Sequence, residues 1–117
     1  MEINLSWYQV DDLEKAKRFY ADVLGLKKTF EMDGWAEFSH AEGAASIGLN
    51  RMAQGDDVKG ATVVLKVNDL EESRRHFKKH GVEFEGEVQE IPGVVRIATF
   101  RDPFGNRLQL VQNLMQQ

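Results

Sequence analysis

An α+β fold of two tandem βαβββ modules is what this sequence predicts, on three observations. The segment Val10-Asp11-Asp12-Leu13-Glu14 recurs as Val67-Asn68-Asp69-Leu70-Glu71 in the other half of the 117-residue chain. Each copy is preceded by a strand-like stretch and followed by apolar residues at helical spacing. Short strand patterns separated by glycine-bearing turns then fill the rest of each half. A repeat of this kind means that the supersecondary unit itself is duplicated.

The elements follow in order. Residues 3–10 place Ile, Leu, Trp, Tyr and Val among polar residues with the period of a half-buried strand. A helix follows, because Asp11 and Glu14 have capping-box spacing and Leu13, Ala16, Phe19, Tyr20, Val23 and Leu24 recur every three to four residues before Gly25. Residues 26–31, 35–39 and 44–50 read as strands, joined by the Asp33-Gly34 hairpin turn and a turn around Gly43. Residues 56–60 are the expected linker.

The pattern then restarts. Residues 61–67 read as an apolar strand, and a helix capped by Asp69 and Glu72 runs to about His80 and Gly81. Strands are expected at 82–88, 94–101 and 107–111, with turns at Pro92-Gly93 and at Asp102-Pro103-Phe104-Gly105-Asn106. Residues 112–117 are expected to fray. The whole is one domain, 1–117, with modules 1–57 and 58–117 sharing a core. The two sheets are expected to pair into an incomplete barrel around a cavity lined by alternate strand residues.

Composition narrows the chemistry. With no cysteine, disulfides, thiolate metal sites and cysteine nucleophiles are excluded. No run nears the roughly 18 apolar residues of a membrane span, and a basic region followed by an apolar signal core is missing, so a cytoplasmic protein without membrane partners is expected. At a net charge of −4, the one dense basic cluster, Arg74-Arg75 with Lys78-Lys79, falls on a helix, which argues against nucleic acid. Glu83, Glu85 and Glu87 read as a charged edge strand that resists sheet-to-sheet aggregation. None of the serines sits in a nucleophile elbow.

Two motifs resemble the vicinal oxygen chelate superfamily, which includes glyoxalase I, fosfomycin-resistance enzymes, extradiol dioxygenases and bleomycin-binding resistance proteins. One is Val10-Asp11-Asp12-Leu13-Glu14-Lys15-Ala16 leading to Phe19-Tyr20 and Val23-Leu24-Gly25-Leu26; the other is Phe100-Arg101-Asp102-Pro103-Phe104-Gly105-Asn106-Arg107-Leu108. The resemblance implies the paired-module barrel just described. It also places the metal ligands of metal-dependent members at Leu5, Gly48, Thr62 and Gln109. Leucine and glycine offer no side-chain donor, threonine is a poor one, and a lone glutamine is weak, so no metal and no cofactor are expected. His76 and His80 stand at i and i+4, but Phe77 occupies the position of a catalytic glutamate, and with His40 they read as surface residues.

If Leu5 replaces an inward-facing ligand, alternation turns Trp7 and Gln9 inward with it. Gly48 and Asn50 follow on the fourth strand with Trp35 on the third, Thr62 and Val64 on the fifth, and Arg107 and Gln109 on the last. Such a lining suits stacking against a flat or amphipathic molecule, with Gly48 leaving room for it and Gln9, Thr62 and Gln109 orienting it. The expected function is therefore a metal-free binding protein that sequesters a small organic ligand, an antibiotic or a metabolite, without catalysis. Resemblance to the drug-binding branch implies a homodimer. The alternative is a lyase or dioxygenase-type enzyme with a rearranged metal site.

Overall fold

The structure, a computed structural model, describes residues 1–53, 60–103 and 105–115. Most of the expected linker, Phe104 in the last turn and the final two residues lie outside that description. The chain forms two compact units, Leu5–Ala61 and Met1–Asn4 with Thr62–Gln117. Both have mixed α+β architecture.

The first unit carries β1 (Glu2–Val10, from Leu5 onward), α1 (Leu13–Arg18), a π-helical turn (Phe19–Val23), β2 (Lys27–Met32), β3 (Trp35–Ser39) and β4 (Ser46–Arg51). Its strand order is β2-β3-β4-β1. The first strand runs parallel to the last, with Trp7 opposite Gly48 and Gln9 opposite Asn50. The second unit carries β5 (Thr62–Lys66), α2 (Leu70–Lys79), β6 (Phe84–Ile91), β7 (Val95–Arg101) and β8 (Arg107–Asn113), in the order β5-β8-β7-β6. Again the first strand lies parallel to the last, with Val64 opposite Gln109. The sequence repeat is thus a repeat of topology.

The caps fall at equivalent positions of the repeat, in the first copy one residue later than predicted. Asp69 accepts from the Glu72 backbone N–H at 3.1 Å, at the spacing predicted. In the first unit Asp12, not Asp11, is the cap, accepting from the Lys15 N–H at 3.0 Å. The first helix also departs from prediction at its far end, where the Leu24 N–H reaches back to the Phe19 carbonyl at 3.1 Å and the helix widens to π geometry. An extra residue per turn breaks the 3.6-residue phase. Tyr20 still packs on the core, but Phe19, Val23 and Leu24 are exposed rather than buried.

Each helix covers its own sheet, and the helix-side apolar residues form one cluster in each unit. Leu13, Ala36, Phe38 and Leu49 make the first, and Val67, Leu70, Ala98, Phe100 and Leu110 the second. In the second, Phe77 packs edge-on to Phe100 with ring centroids 5.3 Å apart. Residue 112 is not frayed as expected: the Gln112 side-chain oxygen accepts from the Leu70 N–H at 2.9 Å and caps α2. The glutamate strand β6 lies at the edge of its unit's sheet, with a register shift between Glu85 and Gln89. Glu85 pairs with Arg101 at 2.6 Å. Among the described residues no helix is long and apolar enough to cross a membrane.

Candidate functional site

Strand alternation divides each sheet into a helix-covered face and a helix-free face. In the first unit Val10, Ala36, Phe38, Ile47 and Leu49 pack with the helix. Their neighbours in sequence therefore point the other way, which puts Leu5, Trp7 and Gln9 of β1, Gly48 and Asn50 of β4, and Trp35 and Glu37 of β3 on the helix-free face. In the second unit Leu65, Ala98, Phe100, Leu108 and Leu110 pack with α2. Thr62, Val64, Arg107 and Gln109 occupy its helix-free face.

The first of these faces is built around two indoles. Trp7 and Trp35 meet edge to face, with centroids 5.8 Å apart and planes at 72°. The Trp35 N–H donates to the Glu37 carboxylate at 2.8 Å, so the ring is pinned by its own strand. Gly48 permits this geometry. A Cβ there would stand 2.5 Å and 2.6 Å from the Trp35 ring and 2.9 Å from the Trp7 Cβ, far inside contact distance. The space that the missing side chain leaves is filled by Trp35, which corrects the expectation that Gly48 leaves room for a ligand. Leu5 is 7% exposed and packs as tightly as the core.

Gln9 stands out on this face. Both atoms of its terminal amide are buried, and neither has a hydrogen-bond partner among the described residues. Leaving a buried polar group unmatched costs about 1–3 kcal/mol.

The second helix-free face is internally matched. Arg107 donates from Nε to the Thr62 hydroxyl oxygen at 2.7 Å, and the Gln109 amide nitrogen donates to the Thr99 hydroxyl at 3.1 Å. Thr62 is fully buried and Val64 is 5% exposed. Arg107 is half-buried against Thr62.

A divalent metal of the kind the resemblance implies does not fit these residues. Leu5 and Gly48 supply no donor, and the Thr62 oxygen already receives a guanidinium, whose charge would repel a cation. Among the described residues no group of three or more His, Asp and Glu side chains stands close enough to hold a metal. His76 and His80 are exposed on α2 with ring centroids 4.8 Å apart, and His40 is exposed beyond β3.

The first unit also carries an open groove of about 580 Å³ beside the start of α1, bordered by Gln9, Asp11, Lys15, Phe19, Tyr20 and Met52 among others. Burial, with a smaller contribution from Tyr8, pushes the Tyr20 hydroxyl above the ordinary tyrosine value. Nothing in the sequence marked this groove, because it depends on the π turn that exposes Phe19. The buried, unmatched state of Gln9 was likewise illegible, since an amide's partners are set by neighbours distant in sequence.

Comparison with known proteins accords with this architecture. Residues 3–110 match the family described as Glyoxalase/Bleomycin resistance protein/Dioxygenase superfamily. Methylmalonyl-CoA epimerase from Mycobacterium tuberculosis superposes with a TM-score of 0.80 at 23% identity, over 96% of this chain and 87% of that one. A glyoxalase/bleomycin resistance protein/dioxygenase superfamily member from Vibrio splendidus 12B01 gives 0.69 at 16%, over 93% and 97%. The Mn(II)-bound glyoxalase from Novosphingobium aromaticivorans gives 0.68 at 25%, over 97% of this chain and 39% of that one. No curated protein matches the sequence. A match across nearly the whole chain, on a duplicated βαβββ topology, shows that this protein belongs to the glyoxalase/bleomycin resistance protein/dioxygenase superfamily.

Proposed function

We propose that this protein binds a small aromatic or amphipathic organic molecule on the helix-free face of its first unit, and that it acts by sequestering that molecule rather than by metal-assisted catalysis. The observation that carries this reading is the Trp7–Trp35 pair, held edge to face over Gly48 and fixed through Glu37. Two rigid indoles offer a large apolar surface at little entropic cost, which is what a flat ligand needs. The donor set at Leu5, Gly48, Thr62 and Gln109 supports the metal-free side of the reading. Gln9 takes the orienting role, because Thr62 and Gln109 are engaged with their own neighbours.

The test is a thermal melt of the protein against a panel of aromatic compounds, and against nickel, zinc, manganese and iron(II). A ligand that binds only the folded state raises the melting temperature. Aromatic compounds should shift the melt and metals should not, and Trp7→Ala should abolish the aromatic shift. An aromatic shift that persists in Trp7→Ala would sink the stacking assignment. A stoichiometric metal that shifts the melt would turn the reading to an enzyme of the family.

A further inference from the structure

We infer that the molecule bound on this face is a non-anionic N-heteroaromatic carrying a lactam, imide or carboxamide edge, and that Gln9 recognises that edge. The inference rests on the aromatic-wall reading above and goes further by naming the ligand's hydrogen-bonding group.

Gln9 lies two residues after Trp7 on the same strand face, directly across from Asn50, whose other strand neighbour is Trp35. Its amide therefore belongs to the same surface as the indole pair. Nitrogen and oxygen are both buried, and neither has a partner among the described residues. Methionine has nearly the same shape and would carry neither penalty, so a polar side chain here implies a polar partner. A glutamine terminus is planar, with a donor and an acceptor side by side. Its complement is a group that is also planar and carries one N–H beside one C=O. Charge narrows the class further: the Glu37 carboxylate sits on this face, held by the Trp35 N–H, and would repel an anionic ligand. A neutral heteroaromatic lactam satisfies all three features, because its ring stacks on indole while its edge pairs with the amide. Since both Gln9 atoms are covered, engagement requires a neighbouring side chain to shift.

Calorimetric titration of the full chain with 2-quinolinone and with N-methyl-2-quinolinone tests this, since methylation removes the donor and keeps the ring and carbonyl. The lactam should bind about tenfold more tightly, the order of one well-made buried hydrogen bond. Gln9→Met should erase that difference and, without ligand, melt at a higher temperature than the parent. Equal binding of the two compounds to the parent protein would overturn the edge assignment and leave the aromatic wall standing. Binding of neither would overturn both. A lower melting temperature for Gln9→Met would show that the amide is satisfied within the fold, by an internal water, and would also overturn the assignment.

Discussion

The two helix-free faces descend from the same βαβββ pattern and handle their polar groups in opposite ways. On the second, each polar side chain that the sequence singles out meets another from the same unit: Arg107 with Thr62, Gln109 with Thr99. On the first, an indole pair occupies the centre, and a buried glutamine amide beside it has no match among the described residues. Duplicated topology therefore does not carry duplicated chemistry. A matched polar set contributes to stability, whereas an unmatched one costs stability and is retained where something else completes it.

Substitutions can break or sharpen this contrast. Trp35→Ala should have the largest effect, removing the ring that fills the space over Gly48. It should cost about 3 kcal/mol in urea denaturation and eliminate aromatic binding. A variant that keeps both stability and binding would show that the ring is only a surface cover. Gly48→Ala should come next, at about 1–3 kcal/mol, because its Cβ must displace the Trp35 ring. Its near-ultraviolet circular dichroism should report altered indole packing, and an unchanged spectrum would contradict the close approach.

Thr62→Val tests the other face. It keeps the shape but removes the oxygen that accepts from Arg107, and should cost about 1.5 kcal/mol. The sign is opposite to that expected for Gln9→Met, and equal signs would erase the distinction between the faces.

The smallest effect belongs to an exposed ion cluster in the first unit. Lys28, then Lys17, holds the Glu31 carboxyl below its ordinary value of 4.5, while Glu14, then Glu31, raises Lys17 above 10.5. A lowered carboxyl contributes stability above its unfolded value, and loses it as pH falls through the folded one. A raised lysine contributes below 10.5 and loses that contribution as pH climbs through its folded value. Wild type and Glu31→Gln should thus differ slightly near neutrality and converge in acid, measured as unfolding midpoints against pH. A gap that widens in acid would contradict the assignment.

Much of the architecture was legible because the signals are local. Alternation in the strands and the Asp69–Glu72 cap act over a few residues, and the structure reproduces β3 at Trp35–Ser39 and β7 at Val95–Arg101 to within one residue of the predicted bounds. The misreadings occur where one element answers to another. The apolar stripe continues in sequence through Val23 and Leu24, yet the π turn rotates both outward. Gly48 reads as empty space until a ring from the neighbouring strand is seen to fill it.

By itself the sequence determined that the chain is a duplicated βαβββ and which strand residues share a face. Periodicity and side-chain chemistry act within a few residues and need no tertiary partner. Only the tertiary structure decided which of those residues are satisfied. Thr62 and Gln109 find hydrogen-bond partners within their own unit, and Gln9 has none among the described residues. The physical reason is that a polar group's free energy depends on what stands within about 3 Å of it, and those neighbours come from strands far apart in the chain.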